Sequence, residues 1–232
     1  MASARIWSRR IRITGGIALS LALVGLTAWL FAINWTPDRD AFPVQGIDIS
    51  EANDPADWFA VKATHQIQFV YARASMGATG RDKRFPMHWS GLGQAGMRRG
   101  AIHVFSLCQL AADQAGNLVG AIPPSPDQLP AALDLAFQPG CTAHPERSVV
   151  LSEIARFVRG VESATGKPVI LRITPEFEAR YHVSSAIPRK LWSVQSFFPP
   201  AYFDKRWTLW QASGFRRFSG ISGAVNWNVM VK

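Results

Sequence analysis

The chain has 232 residues, 48% hydrophobic and 18% charged, a composition that excludes a disordered or fibrous protein. That length supports one domain with a substantial core and is short for two. The net charge of +9 suggests nucleic acid at first. However, Arg5, Arg9, Arg10 and Arg12 all precede the first acidic residue and flank an apolar run. Without them the excess is mild and suits an anionic polymer or a membrane surface equally well. There is no recognisable nucleic-acid module and no further basic stripe, so no nucleic-acid partner is expected.

In chain order, residues 1–14 form a basic segment expected to be cytoplasmic. Residues 15–35 read as a transmembrane signal anchor, with about 19 uncharged residues from Gly15 to Ile33 against the ~20 that cross a bilayer. Trp29 and Trp35 mark the far interface, and the arginines set the N-terminus inside. This places a single-pass protein in a bacterial inner membrane, with its C-terminal domain periplasmic or otherwise extracytoplasmic. A cleaved signal peptide, giving a secreted protein, is the alternative. The bulky exit Trp29-Leu30-Phe31-Ala32-Ile33 suits cleavage poorly, and a buried soluble helix is a third reading.

Residues 36–43 (TPDRDAFP) read as a polar tether before the domain at 44–232. Strands are predicted at 44–50, 68–75, 100–106, 130–137, 168–174, 190–196, 207–212 and 224–231. Helices are predicted at 55–64, 86–98, 109–120, 146–164 and 175–182. The helix at 146–164 is the clearest, with Val150, Ile154, Phe157, Val158 and Val161 at helical spacing and Gly166-Lys167-Pro168 closing it. The Pro-rich stretch 122–130 is a loop. Five β/α units followed by three strands read as a parallel α/β barrel. A doubly wound open sheet is the alternative, although Asp48 stands where a Gly-rich phosphate loop would follow the first strand.

Barrel ligands bind at the C-terminal strand ends. The polar residues expected there are Asp48, Ser50, Arg73, His103, Ser106, Asp134, Arg172, Gln195, Gln211, Asn226 and Asn228. Asp48 and Asp134 interrupt apolar strands, and a buried carboxylate needs partners. Each is either a structural carboxylate held by backbone donors or by Arg73 or Arg172, or part of a shared polar pocket. The five histidines lack metal-ligand spacing, so neither a metal nor a cofactor is expected. His103 is expected to point into the pocket.

These residues resemble glycoside hydrolase family 25, the muramidases (lysozymes) that cut the β-1,4 link between N-acetylmuramic acid and N-acetylglucosamine. The resemblance runs through GIDIS (46–50), FVYARASMG (69–77), Asp82 with Phe85, GAIHVFS (100–106), Gln114-Ala115 with Asn117, LPAALDLAF (129–137), Trp210-Gln211 and GISGAVNWNV (220–229). It implies a family 25 barrel with Asp48 and Asp134 as retained catalytic positions. The departures fall on the chemistry. Where the family carries Asp-x-Glu this chain has Asp134-Leu135-Ala136, and Asn226 replaces a further aspartate. Arg172 stands near a common tyrosine. Glycoside hydrolysis ordinarily uses two carboxyl groups, and a methyl group replaces neither. Glu51, Glu176 and Glu178 are the acids nearest the rim, each equally readable as a loop or helix-start residue.

The resemblance therefore implies peptidoglycan glycan strands as partner, with hydrolysis absent or very weak. Expected contacts are Tyr71, Arg73, His103, Arg172, Trp192, Trp210, Gln211 and Asn228, with Trp227 beside them. An active muramidase with a recruited acid and a scaffold for a protein partner are the alternatives. Cys108 and Cys141 follow adjacent barrel strands, so a disulfide is expected, with two unlinked thiols as the alternative.

Overall fold

Short strands buried on both faces need a covering layer outside and a filled interior inside, and a closed barrel satisfies both. The structure, a computed structural model, describes residues 2–54, 57–125 and 128–231, without the side chains of residues 2–6, 8–11 and 65. The arginines Arg5, Arg9 and Arg10, the His65 side chain, residues 55–56 of the first predicted helix and residues 126–127 of the predicted loop therefore lie outside the described residues.

The strands are β1 (Val44–Ile49), β2 (Phe69–Met76), β3 (Gly80–Arg81), β4 (Arg98–Val104), β5 (Ala132–Leu135), β6 (Ile170–Ile173), β7 (Lys190–Val194), β8 (Leu209–Arg216) and β9 (Val225–Met230). The helices are α1 (Ala2–Asn34), α2 (Trp58–His65), α3 (Phe85–Gln94), α4 (Ala111–Val119), α5 (Arg147–Thr165), α6 (Pro175–Tyr181) and α7 (Val183–Ala186). The sheet runs β1-β9-β8-β7-β6-β5-β4-β2-β3, and pairing of β1 with β2 closes eight of these strands into a barrel. The two-residue β3 and the single-turn α7 were not expected. The helix predicted at 86–98 stops at Gln94, because Gly96 takes a left-handed turn (φ 60°) and β4 begins at Arg98.

The barrel is mixed rather than parallel, which corrects the sequence expectation. From β1 through β2, β4, β5, β6 and β7 to β8 each neighbour is parallel, whereas β9 is antiparallel to both β8 and β1. The cause is chain length. Only residues 217–224 separate β8 from β9, and a parallel return needs a crossover of about a dozen residues.

Side chains alternate between two cores. Outside the strands, Ile47, Val70, Leu133, Leu171 and Val229 meet the helices. Helix α5 contributes Val150, Ile154, Phe157, Val158 and Val161, all buried as its spacing predicts. Each such side chain is worth roughly 1.5–3 kcal/mol of burial. Gly166 (φ 66°) then ends the helix. Inside the barrel, Phe69, Tyr71, Ile102, Ala132, Ile170, Trp192 and Leu209 form a plug. Two glycines make room for it. A Cβ on Gly46 would lie 2.4 Å from the Phe69 carbonyl oxygen, and one on Gly100 would lie 2.2 Å from the Tyr71 ring.

Residues 36–43 are not a free tether. This segment packs on the outer face of β8, beside the end of α1. Trp35 and Phe42 both meet the Trp210 ring, and Phe42 also stacks on Trp207. The buried Gln45 amide donates to the carbonyls of Pro37 and Phe42 and fastens the strap.

Candidate active site

Register decides which side chains can meet at the mouth of the barrel. Directly opposed residues share a face, so the pairs Asp48–Asn226, Asp134–Arg172, Gln211–Asn228 and Arg73–Ile102 all point inward. Asn226 reaches this rim because β9 is antiparallel. Its start lies beside the end of β1, not at the end of a parallel strand as expected. Above the aromatic plug lies a cavity of about 290 Å³ bounded by Asp48, Ser50, Asn53, Arg73, Asp134, Arg172 and Asn226, with Ile102 and Val104 on one wall.

Asp48 is 7% exposed, and both its oxygens are occupied. Oδ1 accepts from the Asn226 amide at 2.7 Å and Oδ2 from the Asn228 amide at 2.9 Å. Burial pushes its carboxyl above the usual carboxylate range, against the lowering pull of Arg172 and the two amides. Asn228 also accepts from the Trp192 indole at 3.0 Å, so the plug below orients the amide that orients Asp48.

Asp134 pairs with Arg172, whose guanidinium also donates to Gln211 Oε1 and lies 5.6 Å from the centre of the Trp192 ring. Burial works against the Arg172 charge, but Asp134 and Asp48 outweigh it and raise its pKa. Arg172 therefore occupies one face of the pocket as a fixed cation and takes up the carboxylate of β5. Ala136 lies just beyond β5 and offers only its carbonyl, which accepts from Gln138 at 3.2 Å.

Arg73 spans the rim. It donates to Asp82 at 3.0 Å and meets Glu51 at 3.2 Å. Glu51 is thus held by Arg73 at the exposed edge. Glu176 and Glu178 sit in the first turn of α6, where Glu178 accepts from Ser184.

Several expected contacts lie elsewhere. His103 faces the helix layer, with its Nδ1 2.8 Å from Ser75 Oγ, its Nε2 3.3 Å from Gln114 and its ring against Phe157. Its pKa is pushed down to about 4 by burial. The alternation Ile102-His103-Val104 explains this, since Ile102 and Val104 take the inward places. Trp210 also points outward, donating to the Gln195 carbonyl under the strap, and Trp227 donates to Gln45 on that same side. Tyr71 and Trp192 do point inward but are buried in the plug, their rings 4.9 Å apart, so neither forms an exposed sugar platform.

Three structural partners were not singled out for the site. Buried Asp82 is the anchor of Arg73 and also accepts the Glu51 backbone N–H at 2.8 Å. Asn53 lines the pocket and donates to the carbonyls of Ser222 and Ala224, tying the loop after β1 to the β8–β9 connection. Ser222 Oγ accepts from the Asp54 backbone N–H, and the Ser222 N–H donates to the Asp54 carbonyl. The Asp-x-x-F spacing was the available signal for Asp82. Nothing local distinguishes Asn53 from any turn asparagine.

Cys108 and Cys141 form the expected disulfide, linking the segments after β4 and β5. No group of three or more potential metal ligands occurs among the described residues.

A family model described as glycosyl hydrolases family 25 matches residues 47–221. Lysozyme M1 of Streptomyces globisporus is 27% identical over 206 residues, covering 82% of this chain and 68% of that protein. The uncharacterised YegX of Escherichia coli K12 is also 27% identical, over 197 residues, covering 82% and 70%. Among solved structures, a family 25 glycosyl hydrolase from Bacillus anthracis superposes with a TM-score of 0.74 at 24% identity, covering 85% of this chain and 92% of that one. A bacterial lysozyme from Streptomyces coelicolor gives 0.71 at 24% identity, covering 81% and 91%.

Proposed function

The chain belongs to glycosyl hydrolases family 25, and from that premise we propose that it is a membrane-anchored, extracytoplasmic protein that holds peptidoglycan glycan strands with little or no cleavage. The observation that carries this reading is the Asp134–Arg172 pair beside Ala136. Of the two carboxylates lining the pocket, Asp134 is bound to a guanidinium and Asp48 is saturated by two amides. A glycosidase needs one carboxyl group to protonate the leaving oxygen and a second to assist at the sugar carbon. Glu51, an acid at the rim, is engaged by Arg73.

Binding does not need that chemistry. Arg73 and Ser50 still present polar groups at the mouth, and the two arginines suit the carboxylates of an anionic wall polymer. The anchor reading is supported by the exposed apolar stretch Arg12–Asn34, which is long enough to cross a membrane.

One observation favours a second reading, slow hydrolysis. Burial raises the Asp48 pKa, so this carboxyl keeps a proton to higher pH than an ordinary aspartate. In that case Asp48 would act as the acid, and Asp48→Asn would remove the residual turnover.

The test compares the full-length protein in detergent with the double variant Ala136→Glu, Asn226→Asp. Muropeptide release and co-sedimentation with insoluble peptidoglycan are both measured. We expect both proteins to sediment and only the double variant to cut, with a gain of the order of 10²–10⁴-fold. Equal release by the natural chain would sink the non-cleaving reading. Failure of the natural chain to sediment would leave the protein-scaffold reading in its place.

A further inference from the structure

Helix α1 ends at the pocket rim, not at the opposite mouth of the barrel. The Ile33 carbonyl accepts from Arg216 Nη1 at 3.0 Å and from the Arg217 backbone N–H at 3.2 Å, both at the rim end of β8. From there the chain runs past Trp210 and Phe42 to Val44, which pairs with Met230 at the far mouth. No part of the apolar stretch of α1 is buried and only Ala32 and Ile33 are partly covered, so the helix leaves the barrel on the rim side.

An aromatic collar surrounds this exit. Phe197 stacks on Phe31 at 6.3 Å and on Phe215 at 5.7 Å, and Trp35 meets Phe197 at 5.3 Å. Phe198 is 71% exposed, Phe31 59% and Phe215 41%. Phe197 adopts φ 72°, a conformation costly for a bulky residue, and it holds its ring between the helix and β8. Such a patch, continuous with an apolar helix and flanked by the exposed Arg217, matches the aromatic and basic belt of a bilayer interface.

We infer that the collar of Phe197, Phe198 and Phe215 seats the barrel rim on the lipid surface, so that the pocket opens toward the bilayer and takes glycan lying close to the membrane. This rests on the membrane-anchor reading and goes beyond the glycan reading. The two are linked through β8, which carries Phe215 in the collar and Gln211 in the pocket.

The full chain is reconstituted in vesicles of phosphatidylethanolamine and phosphatidylglycerol. Single labels are placed at Phe198→Cys in the collar, at Ala52→Cys on the pocket mouth and at Lys190→Cys at the far end, with the native disulfide left oxidised. Lipids doxyl-labelled near the headgroup should quench positions 198 and 52 several-fold more than position 190. Equal quenching, or a gradient in the opposite direction, overturns the docking. Release of the chain by alkaline carbonate overturns the anchor itself. Retention with position 198 unquenched overturns the docking alone. A Phe197→Ser, Phe215→Ser variant should remain in the vesicles yet lose the quenching at position 52.

Discussion

A guanidinium in the position of Arg172 has to be neutralised, because 9% exposure leaves it almost no water. Asp134 supplies the counter-charge and Gln211 takes a further N–H, so the three side chains form one unit across β5, β6 and β8. We expect Arg172→Met to destabilise the protein by about 3–5 kcal/mol, because it strands the Asp134 carboxylate. Adding Asp134→Leu should recover most of that loss. A double-mutant cycle by chemical denaturation checks this, and additive losses would mean that the pair is not coupled. His103 makes a separate pH prediction. Its folded pKa is about 4 against an ordinary 6.5, so the folded state disfavours its protonation. Stability is therefore fully present above 6.5 and is lost as pH falls from 6.5 toward 4, by an amount of the order of 3 kcal/mol. His103→Gln should lower stability at neutral pH and flatten that acid limb relative to the natural chain. Asp48, whose raised pKa acts in the opposite direction, cancels in this comparison. Among the residues themselves, Asp48 and Asp134 are legible because a carboxylate in an apolar strand needs partners, and Asn226 through the family resemblance. His103 faces the helices instead of the pocket because alternation along β4 gives the inward places to Ile102 and Val104. Arg73 lines the pocket as its strand position predicts, but the bulge between Arg73 and Ser75, which shifts the register and turns Ser75 toward His103, has no signal in the sequence.

At the scale of elements, the strap over β8 follows from a missing helix. Strands β2, β4 and β5 are each followed by helix, whereas 195–208 crosses from β7 to β8 without one. The outward face of β8 then needs another cover, and Trp35, Phe42 and the end of α1 provide it. From sequence, TPDRDAFP looks like solvated linker, since three of its eight residues are charged and nothing local reveals what β8 lacks. Gln45 is the joint. It accepts from the Trp227 indole and donates to two strap carbonyls from a fully buried position. Gln45→Ala should cost about 2–3 kcal/mol by leaving these groups unpaired. Hydrogen exchange should then quicken at the Phe42 amide while the β4–β6 amides stay protected. Uniform protection across the strap would show that its rings hold it without Gln45. The antiparallel β9 has the same kind of origin, a connection too short for a crossover. Strand count was legible from the apolar runs, but direction depended on that loop.

For the whole molecule, the barrel closes only when β1, near the start of the domain, meets β2 on one side and β9 on the other. Five β/α units made closure foreseeable, and the family resemblance ordered the pieces. Which rim helix α1 joins was not legible, because it depends on contacts between Ile33 and Arg216–Arg217 that are far apart in sequence. The disulfide acts at this same scale. Cys108 and Cys141 stand 33 positions apart and join the segments leaving β4 and β5. In the chain-entropy account a loop of that length stabilises the fold by about 3–4 kcal/mol. The joined segments also bound a second cavity of about 380 Å³, with Gln109, Gln138 and Cys141 on its wall and Val104 shared with the main pocket. Cys108→Ser, Cys141→Ser should therefore have two effects. In detergent its Tm should fall by roughly 10 °C, and its co-sedimentation with peptidoglycan should weaken at temperatures where the fold survives. A fall in Tm with unchanged sedimentation would confine the disulfide to stability and remove the second cavity from the glycan path. Weakened binding with the fold intact would place bound strand across Val104, from the Asp48 pocket toward the disulfide.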